Sequence, residues 1–412
     1  MIALLVVAAL GAGWAVARSL GGALVVGFAL SGAAFAAQLL LFGWTGPESD
    51  VLLLVLGALW WWRGRFAAAS RCASGAPGAA RATSPLPRWW ATAATALAGI
   101  VVAALFVRHS LRYPDGGWDA RAIWNLRARA LFGAPHDLAL VFSAAVPHGD
   151  YPPLLPALIA HGWFALHSRW LPVQAIVAAV FAAGGALVLF RRSREAALLL
   201  LATPLFLTLA WNQYADLKLA MLLLVALTLS HEGRLEAAGL AAGLAALTKN
   251  EGLFEALALA AAVVWVRGWR DLWRFCAGAA APIAFLAWFK LRLAPQNDLA
   301  AIFSFRRAFL HAPLRVPRVL AAFLKQVVSF EGFGAAAAAA AVVWMARFAR
   351  RPRRTLPIRF AGLSLALVFC IYVFTPQPLE WHLRGSVDRV LFQIWPCLLF
   401  ATSLLWEPNA PN

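Results

Sequence analysis

Long stretches of the chain carry no charged residue, among them 2–17, 20–42, 91–107 and 172–190. Roughly twenty apolar residues span the hydrocarbon core of a bilayer as a helix, and lipid leaves the backbone polar groups no partners except each other. The chain therefore reads as an all-α, polytopic integral membrane protein. Composition agrees: 62% hydrophobic residues, 13% charged residues and a mean hydropathy of +0.73 leave too little polar surface to cover a soluble globule. About 13 transmembrane helices are expected, at 2–17, 23–42, 51–62, 89–107, 172–190, 195–211, 214–230, 235–249, 252–266, 275–290, 333–349, 358–374 and 389–406.

Charge sets the orientation. In a soluble protein a formal charge of +18 would suggest a nucleic-acid partner, but here nearly all the cations are Arg and cluster between apolar runs. No nucleic-acid partner is expected. Cytoplasmic loops carry the positive excess, and the 63–88 segment holds Arg63, Arg65, Arg71, Arg81 and Arg88 with no acid. Its Ser, Gly, Ala and Pro content marks it as a flexible linker on the cytoplasmic side. Arg191, Arg192 and Arg194, and the run from Arg347 to Arg359, fit the same side. Asp50, the 108–150 loop, Asn212 to Asp216, Lys249 to Glu251, the 291–332 segment and Thr375 to Asp388 then face the periplasm or exterior of a bacterial cell membrane. For this threading, 154–168 does not cross; Pro152, Pro153 and Pro156 open it as an interfacial or re-entrant helix. Arg318 and Lys325 give 319–330 an interfacial character too. The apolar N-terminus lacks a basic n-region and is expected to be a retained span. Cys72, Cys276, Cys370 and Cys397 show no metal-clip or redox spacing.

The chemistry concentrates in the polar interruption from Arg108 to Asp150. After Asp119, Ala120 to Phe132 contains no Gly or Pro and stops at Gly133, the signature of a helix. Arg121, Asn125 and Arg129 recur at every fourth position, and Ile123, Leu126 and Ala130 fall elsewhere, so an amphipathic helix lying on the membrane surface is expected. Asp119 stands at its N-cap, where Asp is common. A cap and a catalytic carboxylate are both open at this point.

Several motifs in order resemble the GT-C superfamily of membrane glycosyltransferases, the group of the protein O-mannosyltransferases and lipid A aminoarabinose transferases. They are Gly117-Trp118-Asp119-Ala120 and Asp150-Tyr151-Pro152-Pro153-Leu154, then Asp216 at the start of a span, Leu247-Thr248-Lys249-Asn250-Glu251-Gly252, and a late segment with Trp381-His382-Leu383 and Ser386 to Arg389. The resemblance covers 89–406, leaving 1–62 as additional N-terminal helices and 407–412 as a tail. Ala120 stands where several family members carry a second acid, and Tyr151 where the family has Lys before Pro-Pro-Leu.

The resemblance implies transfer of a sugar from a polyprenyl-phosphate-linked donor to an acceptor hydroxyl on a glycan, lipid or protein, with inversion. Asp119 would be the general base. Lys249, Arg389 and Arg384, with Arg121 less favoured, would hold the leaving phosphate. Asp150, Tyr151, Asp216, Glu251 and His382 complete the expected substrate site. His136, Asp137, His148, Asp115 and Asp150 match no compact metal motif, and neither a metal nor another cofactor is expected. A transporter or flippase for a lipid-linked saccharide is the competing reading. It would place its key groups near the midplane and often in two related halves.

Overall fold

The computed structural model describes residues 2–72, 88–169, 172–295, 305–328, 332–334, 340, 355–375 and 377–405. Within them all regular structure is helical. The chain starts with α1 (Ile2–Ala17), α2 (Leu20–Phe42) and α3 (Glu48–Cys72), followed by α4 (Arg88–Arg112). A π-helical turn (Ala120–Trp124) runs into α5 (Asn125–Gly133); α6 (Leu138–Val141) and α7 (Leu154–Leu166) follow. Next come α8 (Pro172–Arg192), α9 (Arg194–Leu201), α10 (Pro204–Trp211), α11 (Ala215–His231), α12 (Leu235–Ala246), α13 (Asn250–Arg267) and α14 (Trp269–Arg292). The last are α15 (Phe305–Val328), α16 (Leu356–Val373) and α17 (Leu379–Leu405).

Six helices, α2, α4, α8, α14, α16 and α17, are long and apolar enough to cross a membrane, and α9 with α10 makes a seventh if that pair, bent by 64°, is one span. The protein is thus a multi-pass helical membrane protein. The expected span at 195–211 is broken because Thr203 precedes Pro204, whose ring cannot continue a helix. Trp395 Nε1 on α17 donates to the Thr203 hydroxyl at 3.0 Å and holds the break in place. Helices α1, α7 and α12 are apolar but have only 10–17 residues. The expected span at 333–349 lies almost wholly outside the described residues, as do the tail and the linker from 73 to 87. Helix α3 runs on through Arg63, Arg65 and Arg71 to Cys72, into the first part of that linker.

The core forms around α11, whose residues 215–227 are all buried. A helix that is apolar around its whole circumference must be enclosed on all sides; here α2, α8, α12 and α17 surround it. By contrast α4 exposes Leu97, Ile100, Val101, Leu105 and Val107, the face a lipid-lining helix presents. Helices in lipid gain little from hydrophobic burial and depend on close packing. Helices α12 and α14 show it: a Cβ on Gly239 would lie 1.8 Å from the Phe275 carbonyl oxygen, and one on Gly278 1.8 Å from that of Glu236.

The N-terminal helices are not an appendage. Helix α2 packs on α7 and α8, and Ser31 Oγ, His161 and Asp50 form a buried chain between α2, α7 and α3 with distances of 3.1 and 3.3 Å. Helix α7, expected to be interfacial or re-entrant, is buried by protein along nearly its whole length. The segment expected to be interfacial at 319–330 belongs to the longer α15, which contains Pro313 and Pro317.

Candidate functional site

Helices α11 to α14 run back and forth, so the start of α11, the end of α12, the start of α13 and the end of α14 meet at one end of the bundle. That end collects most of the residues singled out in the sequence. Lys249, the residue before α13, is buried and its Nζ lies 2.9 Å from both Asp216 Oδ1 and Glu251 Oε1. Gln393 of α17 donates to the same Asp216 oxygen at 2.6 Å. Lys249 is therefore no solvated helix-end lysine; two carboxylates share its charge.

The polar segment after α4 closes over this cluster. Gln213, in the left-handed backbone region at φ 60, donates to the Pro114 carbonyl at 2.8 Å and accepts from Asn125 Nδ2 at 3.1 Å. Gly117 N donates to Asn212 O at 3.1 Å, and a Cβ there would lie 2.7 Å from the Tyr214 ring, so glycine permits the approach. The docked turn delivers Asp119 to Arg389, whose Nη1 donates to Asp119 Oδ2. The other guanidinium nitrogen donates to the Gly385 carbonyl at 2.7 Å, and the group lies over the Tyr214 ring at 5.2 Å. Asp119 has helical φ and ψ of −58° and −39° and makes no capping hydrogen bond. The cap expectation is corrected: its carboxylate faces a cation 270 residues away in sequence.

The expected surface helix is also corrected. The π turn holds one residue more per turn than an α-helix and rotates everything after it. Asn125, expected on the polar face with Arg121 and Arg129, is fully buried, together with Trp124, Arg127, Ala128 and Leu131. Arg121 remains exposed. Arg129 pairs with Asp115.

Asp150 accepts from Asn250 Nδ2 at 2.6 Å, while Lys290 Nζ reaches its backbone carbonyl at 2.5 Å and its carboxylate at 3.5 Å. Lys290 also donates to Asn250 Oδ1 at 2.7 Å. Tyr151 stacks on His148 at 4.5 Å and on Trp124 at 5.5 Å, and its carbonyl accepts from the buried Arg127 at 2.7 Å. Burial pulls the Arg127 guanidinium down to about 10, against the pull of Asp150 and Tyr151. Burial, then the nearby Glu251, pushes the Tyr151 phenol up. His148, left-handed at φ 53, has its pKa lowered mainly by desolvation; Asp150 opposes this and Lys249 adds to it.

His382 lies beside the cluster, its Nδ1 2.8 Å from the Thr375 hydroxyl and its ring 4.7 Å from that of Tyr372. Arg384 is exposed and, with Glu380, Trp381 and Gly385, lines a shallow recess one helical turn before Arg389. Asp119, Arg389, Asp216, Lys249, Glu251, Asp150 and Tyr151 are thus gathered, whereas Arg121 and Arg384 stay at the rim. Among the described residues no group of three or more His, Cys, Asp or Glu could hold a metal ion. Sequence reasoning missed Lys290, Asn250 and Arg127 as members of the cluster. Lys290 looked like the end of an apolar run, and Arg127 was passed over.

No protein-family profile, curated protein or solved structure matches the chain. What the residues can do is therefore judged from their geometry: a reachable carboxylate beside a reachable guanidinium, backed by a buried network that fixes both.

Proposed function

We propose that the protein is a membrane glycosyltransferase of the GT-C type, in a bacterial cell membrane with the clustered end facing the periplasm or exterior. A polyprenyl-phosphate-linked sugar is the donor, and a hydroxyl on a glycan, lipid or protein is the acceptor. The observation that carries the reading is the pair Asp119–Arg389, with side chains 17% and 19% exposed, between the polar segment and the last long helix. A general base and the cation that receives a leaving phosphate must both be reachable, and for an inverting step these two groups, in contact without substrate, must part to admit the reacting carbon between them.

In the step we infer, Asp119 takes the proton of the acceptor hydroxyl as its oxygen bonds to the anomeric carbon. The bond from that carbon to the phosphate oxygen breaks, its electron pair leaves on the lipid phosphate, and Arg389 stabilises the charge. Attack opposite to the leaving group inverts the centre. Lys249 supports the site from below by holding Asp216 and Glu251, while Arg384 and Trp381 offer the adjoining recess to the lipid-linked donor. Among the described residues no donor reaches the buried acceptors Glu251 Oε2 and Gln393 Oε1, which suits them to sugar hydroxyls. The clustering of charge at one end of the helices favours this reading over a saccharide transporter or flippase, which would hold it at mid-depth.

The test is Asp119→Asn. Asn keeps the shape and a hydrogen-bond acceptor for Arg389 but takes no proton, so sugar transfer by the purified enzyme should fall by roughly two to four orders of magnitude. Asp115→Asn and Asp137→Asn control for loss of charge in the same segment. Transfer by Asp119→Asn at close to the wild-type rate would remove Asp119 as the base, and absence of sugar transfer by the wild type would remove the enzyme reading.

A further inference from the structure

We propose that Arg389 keeps Asp119 idle until an anionic donor arrives, so that the donor's phosphate itself releases the base. The inference rests on the functional reading above and adds to it an order of events. Its starting point is a conflict of roles: the carboxylate expected to take a proton is occupied by the guanidinium expected to take a phosphate. An acidic oxygen engaged by a guanidinium cannot at the same moment receive an acceptor's proton through that lone pair.

The surroundings make the pair exchangeable, unlike its neighbours. Lys249, Asp216 and Gln393 are buried and interlocked, and Asp150 is held by both Asn250 and Lys290. Arg389 and Asp119 are partly exposed, as are Lys290 and Asp150, but among the described residues the Asp119 carboxylate lacks the second side-chain hold that Asn250 gives Asp150. The second anchor of Arg389 is a backbone carbonyl of its own helix, Gly385, one turn back and exposed at the recess with Arg384 and Trp381. The guanidinium therefore has an anchored nitrogen and a transferable one. A phosphate presented from the recess offers it more oxygen acceptors and more charge than a carboxylate. Asp119 is also free to leave, because it makes no cap that its departure would break.

If Asp119 and the lipid phosphate compete for one cation, removing Asp119 must tighten phosphate binding, and only while Arg389 is present. The probe is polyprenyl monophosphate, titrated by native mass spectrometry or fluorescence into full-length protein in nanodiscs of zwitterionic lipid. Asp119→Asn should bind it about twofold to fivefold more tightly than wild type, the scale of a partly exposed ion pair. In an Arg389→Gln background the same substitution should change nothing. Equal tightening in both backgrounds would mean simple repulsion between Asp119 and phosphate, and unchanged or weaker binding by Asp119→Asn would mean no competition; either overturns the gate while leaving the donor class standing. Absence of saturable binding by wild type would instead sink the lipid-phosphate donor, and the gate with it. Thermal unfolding checks that each variant is folded, and Arg389→Met, which removes the cation but keeps a long side chain, replaces Arg389→Gln if that variant does not insert.

Discussion

The two ends of the α11 to α14 bundle are both charged, but they use charge differently. At the far end Arg274 pairs with Glu236 at 2.9 Å with both side chains about two-fifths exposed, and Arg267 approaches Asp271 at 3.9 Å. At the site end Lys249 and Asp216 meet at the same 2.9 Å with exposures of 6% and 2%. The distance is equal; the solvent is not. An exposed pair is screened and contributes little, whereas a buried pair has lost its hydration and depends on every remaining partner. The far end can be explained by topology and headgroup contacts. The site end holds charges in an expensive environment, the pattern expected where a protein needs them for chemistry.

The comparison breaks most visibly on single truncations. Lys249→Ala leaves Asp216 and Glu251 facing each other without a cation, and should cost roughly 3–5 kcal/mol of stability, measured by unfolding in detergent micelles. A loss under 1 kcal/mol would mean that water reaches the cluster freely and that the two ends are alike.

A smaller effect should follow pH. Desolvation holds the folded-state pKa of His148 below its ordinary value, with Lys249 reinforcing it against Asp150. The unfolded chain then takes up a proton more readily, so the contribution of His148 is full above the ordinary histidine range and is lost as pH falls through and below it. Wild type should lose midpoint temperature between about pH 7.5 and pH 5 in part through this residue. His148→Asn, which tolerates the left-handed backbone, should flatten that part of the decline. An identical pH profile in the variant would remove His148 from the account. The smallest effect is expected at the far end, where Arg274→Ala or Glu236→Ala should change stability by less than about 1 kcal/mol; a larger loss would make that end a structural centre too.

Much of the site was legible because its chemistry sits in short polar interruptions of apolar sequence. Asp119, Asp150, Asp216, Lys249 and Arg389 stand out in a chain with 13% charged residues; the first four lie at or near helix ends, whereas Arg389 lies well inside α17. Their convergence at one end was foreseen from the distribution of Arg. The partners were not. Nothing local joins Asp119 to Arg389, and the cap that sequence favours is a local bond that the folded chain does not make. Asn125 was misjudged because a face drawn at 3.6 residues per turn fails where a π turn intervenes, and Arg127 was passed over. Lys290 passed unnoticed because a cation at the end of an apolar run is ordinarily a membrane anchor.

By itself, then, the sequence determined that the chain is helical and lies in a membrane, because no other arrangement satisfies the backbone of such apolar runs. It also placed Asp216 and Lys249 at helix starts, since carrying charge through lipid is costly. Only the tertiary structure decided which helices are long enough to cross, where the span after Arg194 breaks, and which acid meets which base. Those outcomes depend on packing between segments far apart in the chain: Trp395 on Thr203, Gln213 on Pro114 and Asn125, Arg389 on Asp119. Pairings of that kind are set by the shape of the whole bundle, and local periodicity carries no record of them.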